Sequence, residues 1–229
     1  MDSVFDAFAA SYDHWYDSAE GGAVFEAEVA CLRQLCGQCR GRWLEVGVGT
    51  GRFAAALGIH EGVDPSPRML EMAAQRGIRT YEGRAEALPF PPGSFDGVLL
   101  ALTLCFVGDA EAVLTEVHRV LRSGGRLLIG AIPADSPWGR LYEGKAAGGH
   151  PLYAQATFRT AAKTVALVEG AGFQLLGAAS TLLWEPGAAP TEEPLVKAGL
   201  VPEAGFASLL FAKGRRAALP ASHPPESSE

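Results

Sequence analysis

The chain has 229 residues, of which 48% are hydrophobic and 20% charged, a composition typical of a globular protein that buries its own core. Its net charge of -7 opposes sequence-independent binding to the phosphate backbone of nucleic acids. The longest apolar stretch, VLLALTLCFV, is too short to span a bilayer, and the N-terminal MDSVFDAF lacks the basic region of a secretory signal. We therefore expect one soluble, cytoplasmic domain with no membrane span and no nucleic-acid partner.

Helical and extended segments alternate along the chain, a pattern typical of a mostly parallel sheet with helices on both faces. After an N-terminal helix within residues 2–18, the predicted helices are residues 22–36, 51–57, 66–76, 109–122 and 160–170. The predicted strands are residues 42–47, 60–64, 79–82, 95–102, 125–132, 173–183 and 205–213. This gives a single domain over residues 1–219, with a helical cap at 1–39, a core at 40–219 and a Pro/Ser-rich disordered tail at 220–229.

Two connections are long for a compact domain, residues 133–156 and 185–204. Loops of that length are usually functional or flexible. The first follows the fifth strand, and ligands of open α/β sheets bind outside the carboxyl ends of the strands. We therefore predict that residues 133–156 form a lid loop over a binding site.

The most informative motif is WLEVGVGTGRF, in which an apolar run ends in three alternating glycines. Gly47, Gly49 and Gly51 permit a tight turn, and the helix that follows offers unpaired N–H groups to a ligand. Their spacing differs from the Gly-x-Gly-x-x-Gly of dinucleotide-binding proteins. Glu45 would repel a pyrophosphate but suits a ligand with an ammonium group. The turn therefore favours S-adenosylmethionine over a dinucleotide.

Asp64 ends the second predicted strand, within GVDPSPRML. A carboxylate at this strand end can accept hydrogen bonds from both hydroxyls of a ribose. NAD-dependent enzymes use the same device, so Asp64 does not discriminate between the two cofactors. Capping of the helix that begins near Ser66 is the alternative role.

Four segments in order, EVGVGTG, GVDPSPRMLEMA, GRAEALPFPPGSFDGVLL and EVHRVLRSGGRLLIG, resemble the class I S-adenosylmethionine-dependent methyltransferases. The resemblance is strongest to the branch with ubiquinone and menaquinone biosynthesis methyltransferases, and covers about residues 40–132. It implies a Rossmann-like α/β fold whose seven-stranded, mostly parallel sheet has an antiparallel last strand. It also implies S-adenosyl-L-methionine as cofactor, with the expected binding residues Glu45, Gly47, Gly49, Thr50, Gly51, Asp64, Pro65, Met69, Ala85, Glu86, Ala101 and Leu102.

Arg84 departs from the pattern of that family, which often has Asp at this position to accept a bond from the adenine amino group. Arginine has no acceptor atom. Either Glu86 or the backbone takes over this role, or the adenine pocket is looser.

Methyl transfer from a sulfonium is an in-line displacement that depends on positioning, and it needs a general base only if the acceptor must lose a proton. The candidate bases lie on the N-terminal helix and the lid loop: Tyr12, His14, Tyr16, His150 and Tyr153. Each has packing or surface exposure as its alternative role. Because the lid loop also holds Trp138 and Tyr142, we expect a small, partly apolar or aromatic acceptor.

Two other functions stay open. A non-catalytic protein that binds S-adenosylmethionine would need the same residues. An NAD-linked oxidoreductase is disfavoured by the spacing of the turn, by Glu45 and by the lack of a Tyr-x-x-x-Lys pair. The oligomeric state, monomer or homodimer, is also open.

The cysteines include a C-x-x-C pair, Cys36 and Cys39, and thiolates bind soft metal ions. However, Cys36 shares an apolar helical face with Phe25, Val29 and Leu32. We therefore predict reduced cysteines that pack in the core and no metal site.

Overall fold

The computed structural model describes residues 4–188 and 195–214. The helices in this part of the chain are α1 (Val4–Trp15), α2 (Ala19–Cys36), α3 (Arg52–Leu57), α4 (Pro67–Gln75), α5 (Ala110–Val120), α6 (Pro137–Ala147) and α7 (Ala161–Gly170). The strands are β1 (Trp43–Val46), β2 (Glu61–Asp64), β3 (Arg79–Glu82), β4 (Phe95–Ala101), β5 (Leu121–Ala131), β6 (Phe173–Thr181), β7 (Lys197–Ala198) and β8 (Phe206–Lys213).

All strands join one sheet in the order β3-β2-β1-β4-β5-β8-β6-β7. The first five strands pair in parallel, and β8 lies antiparallel between β5 and β6. The predicted Rossmann-like, mostly parallel sheet with an antiparallel last long strand is confirmed. The predicted number of seven strands is wrong, because the described residues form eight: Lys197–Ala198 pairs antiparallel with β6. Two residues are too few to leave a periodic pattern in the sequence.

Helices cover both faces of the sheet because successive strand residues point to opposite sides. In β4, Val98 and Leu100 pack in one buried cluster that includes Val113 and Val117 of α5. Leu99, between them, packs in a second cluster with residues of α2 and α3. Near-continuous apolar runs in the central strands are what a sheet buried on both faces requires.

Two helix starts have the caps that the sequence indicates. The Asp109 carboxylate accepts hydrogen bonds from the backbone N–H groups of Glu111 and Ala112, and the Thr160 hydroxyl accepts one from Lys163. Each side chain satisfies N–H groups that have no partner within the helix. α5 ends at Val120, three residues before the Ser-Gly-Gly segment at 123–125.

The predicted lid loop at 133–156 is wrong in its secondary structure, because the segment forms α6 and a 3-10 turn at Tyr153–Gln155. The helix begins with Ser136, whose Oγ accepts a hydrogen bond from Gly139 N at 2.9 Å, and with Pro137 in the first turn. Gly139 lowers helix propensity but is required, since a Cβ there would lie 2.1 Å from the carbonyl oxygen of Pro133. Because packing requires Gly139, helix propensity alone does not predict α6.

α1 is held against the core by two carboxylates. Ser66 Oγ donates to Asp6 Oδ1 at 2.6 Å. Arg52 Nε and Arg76 Nη2 each donate to the Asp13 carboxylate at 2.8 Å. α1 therefore has a defined position over the sheet, where it helps to enclose a cavity.

None of the helices in residues 4–188 and 195–214 is long and apolar enough to cross a membrane. The domain bounds stay a prediction, and the predicted disordered tail at 220–229 lies outside the described residues.

Candidate functional site

A cavity of about 440 Å³ opens at the carboxyl ends of the parallel strands, where open α/β sheets bind ligands. We call its two sides the strand wall and the helical wall. The strand wall consists of residues from the ends of β1 to β5: Gly47, Gly49, Val63, Asp64, Pro65, Gly83, Arg84, Ala85, Glu86, Ala101, Leu102, Thr103 and Ile132. The helical wall consists of side chains of α1, α2 and α6, of Tyr16 directly after α1, and of residues from 150–158.

The glycine turn, residues 47–51, follows β1 and forms part of the strand wall. Its three glycines have positive φ angles of 71°, 51° and 82°. A Cβ at Gly47 would lie 2.4 Å from Thr103 Cγ2, and one at Gly51 would lie 3.0 Å from Ala73 Cα. A Cβ at Gly49 would meet no atom within 4 Å. Packing therefore requires Gly47 and Gly51, whereas Gly49 keeps a space beside the backbone open for a ligand.

Asp64 ends β2 and lines the cavity. Its Oδ2 accepts a hydrogen bond from Gly49 N and its Oδ1 one from Ser66 N, both at 2.9 Å. A carboxylate has about four acceptor positions, so two stay free for a ligand. Burial raises the pKa of Asp64, although the two backbone N–H groups favour the charged form. The alternative role as a helix cap belongs to Ser66, whose Oγ accepts a bond from Met69 N.

Glu45 is buried in β1, next to the glycine turn but not among the residues that line the cavity. Burial raises its pKa well above the usual value, and only a hydrogen bond from the Ala54 backbone opposes this. Its Oε2 has no hydrogen-bond partner among the described residues. A buried carboxylate oxygen of this kind favours a cationic group nearby.

Other expected cofactor residues divide into two groups. Pro65, Met69, Ala85, Glu86, Ala101 and Leu102 line the cavity, whereas Thr50 and Gly51 do not. The carbonyl oxygen of Thr50 instead accepts a hydrogen bond from Arg76 Nη1 at 2.9 Å.

Leu102 has a φ of 56°, in the left-handed region that a branched side chain rarely adopts. Backbone strain of this kind concentrates at functional sites. No feature of the sequence indicates it.

Arg84, which departs from the family pattern, lines the cavity with a side chain that is 74% exposed. Its Nε lies 3.7 Å from Glu86 Oε2. The other oxygen of Glu86 accepts a hydrogen bond from Gly108 N at 3.2 Å. Glu86 is thus the acidic side chain at this end of the strand wall.

Four of the five candidate bases line the cavity: Tyr12, Tyr16, His150 and Tyr153. The hydroxyl oxygens of Tyr12 and Tyr16 are 3.0 Å apart, and the ring centroids of His150 and Tyr153 are 4.8 Å apart. His14 lies outside the cavity, with a side chain that is 88% exposed. His150 Nδ1 is buried and has no hydrogen-bond partner among the described residues.

Glu28 of α2 is a cavity residue that sequence reasoning missed. It is 2% exposed, lines the cavity and has an oxygen, Oε2, without a hydrogen-bond partner in the described part of the chain. Burial raises its pKa to about 8. The sequence does contain a signal, since Glu28 is four residues from both Val24 and Leu32 on a face that is otherwise apolar.

The cysteines are free thiols. Cys31 lies in a core cluster, and the half-buried Cys36 and Cys39 pack against the same cluster with their Sγ atoms 3.4 Å apart. Within the described ranges, no group of three or more His, Cys, Asp or Glu side chains could hold a metal ion.

A family model described as a methyltransferase domain matches residues 44–129. This range contains most of β1, all of β2 to β4 and most of β5, and therefore most of the strand wall.

Relatives extend the similarity over most of the chain. A Thermotoga maritima structure, described as a SAM-dependent methyltransferase and possible histamine N-methyltransferase, is 36% identical, with a TM-score of 0.84 over 91% of this chain and 97% of that one. An uncharacterized protein of Mycobacterium tuberculosis is 42% identical over 201 residues, 88% of this chain and 70% of the relative. A demethylmenaquinone methyltransferase of Thermus thermophilus is 36% identical over 104 residues, 40% of this chain and 47% of the relative.

The fold, the glycine turn with its acidic partners and these similarities agree. The chain belongs to the class I S-adenosylmethionine-dependent methyltransferases, with S-adenosylmethionine as its cofactor.

Proposed function

We propose that the chain transfers the methyl group to a small organic acceptor, by in-line displacement within the cavity between the strand wall and the helical wall. The supporting observation is that this one cavity has two chemically different walls. The strand wall has a glycine turn and carboxylates, while the helical wall is rich in aromatic side chains. A cofactor and an acceptor can therefore lie against each other, which is the positioning that this reaction needs.

In this proposal the strand wall holds the cofactor, which supplies a methyl group activated by sulfonium sulfur. The backbone of Gly47 and Gly49 accommodates the amino-acid end, and the unpaired oxygen of Glu45 favours its ammonium. The free acceptor positions of Asp64 receive the ribose hydroxyls. Ala85 and Glu86 lie at the adenine end, where Glu86 supplies the acceptor that Arg84 lacks.

The helical wall is the proposed place of the acceptor. Its aromatic members include Tyr12, Tyr16, Trp138, Tyr142 and Tyr153. Such a surface suits a small, partly apolar or aromatic molecule. The names of the Thermotoga and Thermus relatives also refer to small organic acceptors for those proteins. The cytoplasmic location and the choice between monomer and homodimer stay predictions.

Two measurements test the proposal. Calorimetric titration should detect binding of S-adenosylhomocysteine and none of NADH. Incubation of the protein with methyl-labelled cofactor and a cell extract should then place the label in a low-mass product, which mass spectrometry identifies. Label found only in protein or nucleic acid would contradict a small acceptor. Binding of S-adenosylhomocysteine without transfer to any component would favour the non-catalytic alternative.

A further inference from the structure

The helical wall contains one buried carboxylate among several aromatic rings. Glu28 of α2 lines the cavity, is 2% exposed and has no partner for Oε2 among the described residues. Four tyrosines also line the cavity, Tyr12, Tyr16, Tyr142 and Tyr153; burial raises the pKa of each, and the charge of Glu28 adds a smaller increase. These rings come from α1, from the turn that follows it, from α6 and from the 3-10 turn, and they share the lining of one cavity with the carboxylate.

No cation within the described ranges forms an ion pair with Glu28. Burial raises the pKa of its carboxyl group to about 8, and no neighbouring positive charge offsets this effect. A buried carboxylate without a counter-ion costs folding free energy, which a cationic ligand would recover. The group that would satisfy Glu28 is thus a positively charged ligand group that reaches it through the cavity.

Two of these tyrosine rings already interact with one cation. Lys145 Nζ lies 5.1 Å from the ring centroid of Tyr142 and 5.7 Å from that of Tyr153. These distances are within the range of cation–π attraction, which strengthens when the cation is desolvated. A carboxylate combined with aromatic faces is the environment that selects an ammonium over a neutral group of similar size.

We propose that the methyl acceptor carries a protonated amine, and that Glu28 binds this ammonium and accepts its proton before transfer. The inference rests on the proposed function and names its substrate class. An ammonium nitrogen has no lone pair, so its N–H bond must break first, with the electron pair left on nitrogen and the proton on the Glu28 carboxylate. The nitrogen pair then forms the bond to the methyl carbon, while the carbon–sulfur bond breaks with its pair on sulfur. The products are a methylated ammonium and a neutral thioether.

The cofactor also carries an ammonium group, but its proposed place is beside the glycine turn and not at the helical wall. Glu45 is next to the glycine turn in β1, whereas Glu28 lies in α2 on the helical wall. The aromatic neighbours of Glu28 belong to that same wall. Each of these two carboxylates has one oxygen without a partner among the described residues, and their different positions suit two different cations.

The test compares matched amines and alcohols by calorimetry on the full chain saturated with S-adenosylhomocysteine. The probes are 2-phenylethylamine with 2-phenylethanol, and n-butylamine with n-butanol. We expect at least one amine to bind at least 10-fold more tightly than its alcohol, and Glu28→Gln to remove that preference. Glu26→Gln, an exposed carboxylate on the same helix, is the matched control and should keep it.

A second readout follows from proton linkage. Near pH 7 the Glu28 carboxyl, whose pKa is about 8, holds its proton in the free protein, so ammonium binding should release about one proton. The other titratable groups that face this part of the cavity are Tyr12, Tyr16, Glu20, Cys105, Tyr142, Lys145, His150 and Tyr153. Calorimetry in phosphate and in Tris measures the release, and its loss in Glu28→Gln assigns it to Glu28 and not to these groups.

The outcomes are distinguishable. If neither amine binds, or if amine and alcohol bind alike in the wild type, the inference is wrong. It is also wrong if Glu28→Gln weakens the binding of S-adenosylhomocysteine while the preference for the amine stays, because Glu28 then binds the cofactor. Failure to bind S-adenosylhomocysteine, measured first on the free protein, instead contradicts the proposed function.

Discussion

At the scale of single residues, three buried carboxylates around the cavity differ in how they are satisfied. Asp64 accepts two backbone hydrogen bonds, Glu45 receives one from Ala54, and Glu28 has burial as the only influence on its pKa. A carboxylate that fixes a turn has a structural reason to be buried. An unpaired one costs stability and therefore indicates a ligand.

Asp64→Asn should weaken cofactor binding while the chain stays folded. The amide keeps the shape of the side chain, but it loses the charge that strengthens bonds from ribose hydroxyls and from Gly49 N. We expect the dissociation constant of S-adenosylhomocysteine to rise by about 10- to 100-fold, measured by calorimetry.

Glu82→Gln is the control for this change, since the exposed Glu82 ends the adjacent strand opposite Asp64. Equal affinities for Asp64→Asn and the control would show that Asp64 does not contact the cofactor.

Glu28→Gln should stabilise the free protein, most strongly at alkaline pH. The folded-state pKa is raised to about 8 from an ordinary value of 4.5, so the folded chain binds the proton more tightly. The associated stability is fully present below pH 4.5 and is lost as pH rises through about 8. At pH 9 the variant should gain roughly 2 to 4 kcal/mol in free energy of unfolding over the wild type.

Denaturant unfolding at pH 5 and pH 9 measures this effect, with Glu26→Gln as the exposed control. A gain that does not change between the two pH values would mean that folding does not raise the pKa of Glu28 and would contradict an unpaired, buried carboxyl group.

At the scale of elements, α1 is a wall of the cavity whose position depends on an ion-pair cluster. Burial alone would raise the pKa of Asp13, but hydrogen bonds from Arg52, Thr50 and Arg76 lower it to about 2. The stabilisation from this pairing is present above the ordinary pKa of 3.8 and is lost as pH falls through about 2. Asp13 thus connects α1 to α3 and to the residue after α4 at neutral pH.

Asp13→Ala should therefore reduce both stability and cofactor affinity. Two half-buried arginines lose their carboxylate, and we expect the free energy of unfolding to fall by about 2 to 3 kcal/mol. Asp17→Ala is the control, because Asp17 is 55% exposed and bonds Arg52 alone in that cluster. The loss of free energy of unfolding in Asp17→Ala should stay below about 1 kcal/mol. Thermal unfolding and titration with S-adenosylhomocysteine measure the two effects, and similar losses for both variants would contradict the assigned role of Asp13.

At the scale of the whole molecule, the last long strand is central in space although it is late in sequence. β8 pairs with β5 through residues 207–212 and with β6 through residues 206–213. Its apolar residues, including Phe206 and Phe211, contribute to the cores on both faces. The sheet is therefore incomplete until this strand is in place.

A chain truncated after Gly205 should fail to fold, since β5 and β6 would each expose an unpaired edge. Truncation after Gly214 keeps β8 and its Lys213 contact to the Leu121 carbonyl. The chain truncated after Gly214 should retain the wild-type circular dichroism spectrum and affinity for S-adenosylhomocysteine. The chain truncated after Gly205 should lose both. A folded first truncation would mean that β8 is dispensable for the fold.

Local sequence determined the elements that carry strong periodic patterns and the residues that share one motif. The glycine turn and Asp64 follow buried strands directly, so their placement at one sheet edge follows from parallel topology. The caps Asp109 and Thr160 are equally local, because a cap bonds N–H groups two or three residues away.

Tertiary structure alone decided the features that depend on contacts between distant segments. α6 contains Gly139, which lowers helix propensity but allows close packing against Pro133. β7 forms by pairing with the edge of β6. The sequence shows Glu28 as a charged residue on an otherwise apolar helical face. Its carboxylate lines a cavity only because α1 and α6 enclose that space. The sequence by itself thus determined the strand wall, the proposed place of the cofactor. The helical wall, the proposed place of the acceptor, arose from long-range packing, since burial and unpaired charge are properties of the assembled fold.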